Sequence, residues 1–266
     1  MKGIISTYIK YFVFLFSLGL KKLFIYRLNH WIIVLFETIN SFALILVIEV
    51  VYNNAVAILG WTKYEWYVLF GTYCIQGQIA SALYIGGLDS MSNRISSGNL
   101  DFLLIKPLSV PFLCLFPNIN LHKFYPLPVP IYMVIYGCAK LSLSITPGIW
   151  CLYLLFLLMG TILYINFVSI TMSLSFWFIK VRSFFSIFFI LHDYARQPKD
   201  VFNRPLTFIF MFIIPIILFS NPPTFILIGR ESIFLCIATI CVLILSFFMM
   251  IFCWRIGLNK YQSASS

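Results

Sequence analysis

Apolar and polar residues fall along this chain in blocks. Six apolar runs stand out, over residues 31–52, 66–85, 127–140, 149–178, 206–220 and 233–254. A bilayer core about 30 Å thick takes roughly 20 residues of apolar helix, so each run is read as a membrane span. The third is short, and Pro215 interrupts the fifth. A shorter run, residues 11–20, is bracketed by Lys10, Lys21 and Lys22. No small-residue cleavage site follows it, so it reads as an interfacial helix with snorkelling lysines rather than a signal peptide.

The polar breaks differ from one another. Residues 86–109, GGLDSMSNRISSGNLDFLLIKPLS, form the longest glycine-punctuated polar stretch between two apolar runs. Leu88, Met91, Ile95, Phe102 and Ile105 recur there near the helical period. That spacing predicts one or two short amphipathic helices on the membrane surface or against a partner, with a solvated loop as the competing reading. Pro107, Pro111, Pro117, Pro126, Pro128 and Pro130 then forbid one continuous helix. A second polar block spans residues 180–205. After the fifth run, NPPTFILIGRES is too short to cross and reads as a re-entrant or interfacial hairpin.

Composition agrees with the pattern: 62% of residues are apolar, 10% are charged, and mean hydropathy is +0.99. Soluble domains are about a quarter charged, so the chain is a polytopic membrane protein with no room for a separate soluble catalytic domain. The net charge of +10 serves orientation and anionic lipid first. No basic run with interleaved aromatics lies in a polar segment, which argues against nucleic-acid binding. With the N-terminus inside, inner segments hold fifteen of the 18 Lys and Arg residues, and outer segments hold Lys63, Lys140 and Arg230. This bias predicts six spans with both termini, residues 86–109 and residues 180–205 cytoplasmic.

Candidate chemistry is sparse. The seven cysteines lie mostly in apolar runs without a CxxC pair and read as small hydrophobes. His30, His122 and His192 are far apart, and no metal site is expected. Glu37 and Glu49 lie within the first run. A carboxylate in the bilayer either lines a path, pairs with a basic group or reaches an interface. Gly71, Gln76, Gly77, Gln78 and Ser81 mark a close-packed face of the second run. There is no P-loop and no GxSxG. His192, Asp193 and Arg196 are the nearest thing to a reactive cluster. They carry the alternative reading of a membrane-embedded enzyme acting on lipid at the cytoplasmic interface, against a solvated or helix-capping cluster. A self-sufficient channel or immunity-type membrane protein is a third reading.

Three segments carry a family resemblance. GNLDFLLIKPLS resembles the G-x-LD-x-LL-x-KP signature of a bacterial branch of type-2 ABC exporter permeases, the ABC-2 family. DYARQPKDVFNRPLTFIFMFIIPIILFSNPP is similar to that branch's segment before and through the fifth span, and FCWRIGLNKYQSASS resembles its closing W-x-x-G-L-x-x-Y-x-SA. The chain departs from the pattern in its proline-rich segment after the signature and in Ser265 and Ser266 at the tail.

The resemblance implies an all-α polytopic membrane protein, one permease domain over residues 1–266. It has six transmembrane helices, an interfacial elbow over residues 1–30, a cytoplasmic coupling region over 86–109 and an external re-entrant segment over 221–232. It implies a non-enzymatic permease subunit of an ATP-driven exporter, in the bacterial cytoplasmic membrane, moving a hydrophobic or amphipathic substrate outward. The implied partners are two copies of an ABC ATPase, which bind ATP and Mg in place of any cofactor on this chain, a second permease (identical or homologous), and membrane lipids. Arg94, Asp101 and Lys106 would be polar docking contacts, and Met91, Ile95 and Phe102 an apolar docking face. Gly98 would turn the chain between two short helices, and Pro107 would end the second. Glu37, Glu49, Gln76 and Gln78 are the candidates for the translocation path.

Overall fold

The computed structural model describes all residues except 1, 26, 54–55, 84–90, 92–93, 96–97, 143, 179–181, 231 and 262–266. Helix α1 covers Lys2–Ile25 and α2 covers Arg27–Val51. A two-residue antiparallel pair, β1 (Ala57–Ile58) with β2 (Trp61–Thr62), leads into α3 (Lys63–Leu83). Then follow α4 (Asp101–Leu104), α5 (Val110–Leu115), a 3-10 turn at Leu121–Phe124, α6 (Pro128–Lys140) and α7 (Pro147–Ser173), which Leu174–Phe176 extends as a 3-10 turn. Helix α8 (Arg182–His192) continues into 3-10 turns at Asp193–Arg196 and Lys199–Val201. The short α9 (Arg204–Phe208) passes into a π-turn at Ile209–Ile213, and α10 (Ile217–Leu227) and α11 (Ile233–Lys260) close the chain.

Local chemistry explains several boundaries. Leu59 and Gly60 both take positive φ, 52° and 76°, the conformation a two-residue hairpin loop needs. Thr62 and Glu65 form a reciprocal cap on α3: the Thr62 amide donates to Glu65 Oε2 at 2.7 Å, and the Glu65 amide donates to Thr62 Oγ1 at 3.4 Å. Proline opens α6 and α7, where its missing N–H costs nothing. In α10, Pro222 and Pro223 lie inside the helix, so the carbonyls of Leu218 and Phe219 lose their usual donors.

The core is a helical bundle around α10, every residue of which is buried. It packs on α3, α7 and α11, while α3 also packs along α6 and α7 along α11. Small residues permit the approach. A Cβ on Gly71 of α3 would lie 2.7 Å from the Pro130 carbonyl oxygen of α6, and one on Gly160 of α7 would collide with the Phe219 carbonyl of α10. Polar bonds cross the same seams: Asn166 Nδ2 donates to Ser246 Oγ at 3.0 Å, and Trp254 Nε1 to Ser169 Oγ at 2.8 Å. The outward sides of α2 and α11 carry exposed Phe, Leu, Ile and Val, the surface that lipid requires.

Among the described residues, three helices are long and apolar enough to cross a membrane, over Trp31–Val51, Pro147–Phe176 and Ile233–Lys260. A fourth would count if Arg204–Ile213 and Ile217–Leu227 made one span, but that pair bends by 103°. Helix α6, with 13 residues, rises only about 20 Å.

The two ends of the bundle correct the expected path of residues 180–232. The hairpin end gathers Trp61, Glu65, Asp200 and Arg230: Trp61 Nε1 donates to Asp200 Oδ2 at 2.9 Å, and Arg230 pairs with Glu65 at 2.8 Å. The opposite end holds the close of α7 against the close of α11, through Phe176, Gly257 and the Trp254–Ser169 bond. From Phe176 to Asp200 the chain therefore passes from one end to the other. The polar block 180–205 does not stay at one face, because the short α8 carries it across. Residues 206–220 do not form one straight helix: the chain bends by 103° between Ile213 and Ile217. The segment Arg204–Leu227 leaves the hairpin end and returns to it, with its break at Ile214–Ile216. Within the stretch expected to re-enter, Asn221–Leu227 is the second half of α10 and is buried.

Candidate functional site

Polar side chains from four helices converge on one cavity of about 380 Å³. Helix α2 supplies Glu37, Asn40 and Ser41; α3 supplies Tyr73, Gly77, Gln78 and Ser81; α7 supplies Tyr164; α8 and its following turn supply Phe189, His192, Asp193 and Arg196. These residues come together because α3 carries polar residues toward the interior and the turn that closes α8 sets His192, Asp193 and Arg196 against them. Tyr73 donates its hydroxyl to Asp193 Oδ1 at 2.7 Å. The His192 ring lies 4.4 Å edge-on from Tyr164 and 5.1 Å from Tyr73. It is buried, and its Nε2 has no hydrogen-bond partner. Glu37 is paired with Lys123 of the 3-10 turn before α6.

Of the four path candidates, the structure brings Glu37 and Gln78 to this cavity. Glu49 lies elsewhere, at the hairpin end of α2, bonded to Lys63 Nζ and Tyr67 Oη at 2.6 Å each. Gln76 is 1% exposed and packs beside Gly160, with both amide atoms lacking partners. Sequence reading left out Asn40, Ser41, Tyr73, Lys123, Tyr164 and Phe189. Tyrosine and phenylalanine within an apolar run look like lipid-facing residues, and Lys123 lies in a proline-rich connection where a charge looks like a loop charge. The polar spacing of Tyr73, Gly77 and Ser81 at every fourth position was the available signal.

The described part of residues 86–109 forms a second candidate surface, although Leu88 lies outside the described residues. Gly98 turns the chain with φ 72° between helical Ile95 and α4, and α4 ends at Leu104, before Pro107. Met91 does not belong to an outward face: it is 0% exposed. Leu100 and Leu103 turn the same way, into the core. Ile95 is half-buried against that core. The apolar side chains left outside are Phe102, Leu104 and Ile105, with Lys106 and Pro107 beyond them. Arg94 is half-buried. Asp101 lies near Tyr261, and burial first, then that carboxylate, raises the Tyr261 hydroxyl above its ordinary range.

Across the surrounding bundle, α1 lies against residues 109–121. The Ser109 amide donates to Tyr8 Oη at 3.0 Å, and Gly19 abuts the Ile119 carbonyl. The exposed patch, the segment under α1 and the Lys123 end of the cavity are thus all at the end away from the hairpin. No curated protein and no solved structure matches the chain. A family model does, that of the ABC-2 family transporter proteins, over residues 38–265. With a polytopic helical fold matched over most of its length, the chain belongs to the ABC-2 family of membrane transport permeases.

Proposed function

We propose that this chain is the permease subunit of an ATP-driven exporter, working with two copies of a separate ABC ATPase and a second permease, identical or homologous. The observation that carries the proposal is the family match over residues 38–265; permeases of this family normally work with an ABC ATPase. The polar cavity between α2, α3, α7 and α8 supports a path for an amphipathic substrate. The exposed Phe102, Leu104 and Ile105 beside Lys106 support an ATPase-docking edge narrower than residues 86–109 as a whole. ATP and Mg belong to the ATPase in this reading.

The six spans of this reading are α2, α3, α6, α7, α8 with its 3-10 turns, and α11, with Arg204–Leu227 as the external re-entrant pair. Helix α8 and its turns total on the order of 30 Å, enough for the fifth crossing. With Lys199 and Arg204 moved to the hairpin end, Lys10, Lys21, Lys22, Lys106, Lys123, Arg255 and Lys260 still weight the opposite end. That end is then cytoplasmic, in a bacterial inner membrane, together with both termini.

ATP binding would close the ATPase pair, and the docked edge would carry that motion into the bundle as a two-state repacking. The lipid-modifying reading has less support, because Tyr73 engages Asp193 and His192 lies among aromatic rings. The test is co-expression with a candidate ABC ATPase from the same genome, followed by purification and ATP-dependent transport in proteoliposomes. Lys106→Glu combined with Phe102→Ala is expected to lose the ATPase while leaving the permease folded. Retention of full assembly and transport in that variant would refute the docking assignment.

A further inference from the structure

Asp193 and Arg196 carry opposite charges on one face of a 3-10 turn, since residues three apart eclipse in that geometry. Both line the cavity. Residues at that spacing are close enough to pair, but no ion pair joins these two. The ion pairs among the described residues are Lys63–Glu49, Lys123–Glu37 and Arg230–Glu65. Asp193 is instead held by Tyr73. Glu37 adds no free charge, because Lys123 engages it. The cavity thus presents a separated anion and cation.

Two further polar atoms lack a partner there. His192 Nε2 and Gln78 Oε1 are buried without a hydrogen bond, on residues 6% and 9% exposed. Buried polar atoms in native folds nearly always have a partner, so two orphans on one cavity mark a place for a polar ligand. Leu44 and Phe189 supply apolar wall beside them.

We propose that this cavity binds the zwitterionic head of an amphipathic molecule, with an ammonium group against Asp193 and a phosphate or carboxylate against Arg196. His192 and Gln78 complete its hydrogen bonds, and the apolar wall receives the start of its chain. A head with one sign of charge leaves either Asp193 or Arg196 uncompensated out of water, which is unfavourable. The inference rests on the permease reading for calling this molecule cargo, but binding itself requires no ATPase.

The test uses the full chain in an uncharged maltoside detergent, without ATPase. The probe is lysophosphatidylethanolamine with a fluorescent tail, followed by anisotropy. Competitors are unlabelled lysophosphatidylethanolamine, lysophosphatidic acid of equal tail length, an alkylamine of equal tail length, and tetraleucine with free termini. Saturable binding is expected, with the zwitterionic lipid at least about tenfold tighter than either singly charged competitor. Arg196→Gln and Asp193→Asn should each weaken it about tenfold or more, with unchanged thermal unfolding. Displacement by tetraleucine assigns the site to peptide-like cargo, and failure of tetraleucine beside displacement by the lysolipid assigns it to phospholipid. Equal affinity for lysophosphatidic acid or the alkylamine, or no saturable binding, overturns the proposal. Should either variant unfold, the comparison of head groups on the unaltered chain still decides. Loss of ATP-coupled transport with binding intact would instead count against the exporter reading.

Discussion

Single residues decide how closely the helices meet. Gly160 faces the carbonyl that Pro223 leaves without a helical donor, so a methyl group there has nowhere to go. Gly160→Ala is expected to destabilise the fold by about 1–3 kcal/mol through overpacking, measured as a lower unfolding temperature in detergent. Gly77, on α3, has open space where its Cβ would be. Gly77→Ala should be neutral or stabilising by up to about 1 kcal/mol from helix propensity. A second residue-scale outcome concerns Arg230. Its guanidinium binds Glu65 and the Gly60 carbonyl and lies 4.9 Å from the Trp61 ring centre. Arg230→Ala should cost roughly 1–2 kcal/mol, discounted for its partial exposure. Arg230→Lys should recover only part, since an ammonium cannot make the two-pronged contact. A double-mutant cycle with Glu65→Gln would separate the pair from the ring contact.

At the scale of elements, the path of α8 has a direct readout. In a cysteine-free background, Val56→Cys and Val201→Cys should react with an impermeant thiol reagent from the same face of the membrane, and Ile105→Cys from the other. Labelling of residue 201 together with residue 105 would return α8 to the surface and restore a fifth crossing at 206–220. The long helices α2, α7 and α11 were legible in the chain because uninterrupted apolar runs of about 20 residues have few other uses. Helix α8 was not: it has 11 residues, and Asp193 and Arg196 continue it with the polarity of a loop. The same property hid the cavity, since polar groups that face one another inside a bundle look in sequence like polar groups that face water. For residues 86–109, the helical period was readable but its direction was not, so Met91 was placed outside and Leu103 was not placed inside.

For the whole molecule, the Glu37–Lys123 pair joins two regions that the chain separates. Lys123 sits on the connection that follows the exposed patch, and Glu37 on the cavity wall. Lys123→Met should leave ATPase assembly intact but lower the amount of substrate moved per ATP hydrolysed, about twofold or more. A parallel fall in both quantities would mean the pair is simply structural. Such a link fits coupling that runs both ways, with cavity occupancy changing ATP turnover as well as the reverse.

The burial of α10 also has a consequence for how the protein is made. Ser220, Asn221 and Thr224 are 0% exposed. Ser220 donates to the Ala195 carbonyl, and Asn221 bonds the backbone of Gln197 and Lys199 at 3.1 and 2.9 Å. Two of the helix's carbonyls also lack the donors that prolines removed. Such a segment gains little from lipid, which offers it no hydrogen bonds, and one of its walls is α11, synthesised after it. During biogenesis α10 therefore completes its packing only after the last helix is in place. Chains ended after Gly229 should expose residues 217–227 to an external protease, and full-length chains should protect them. The helix at the centre of the fold is then among the last to reach its place.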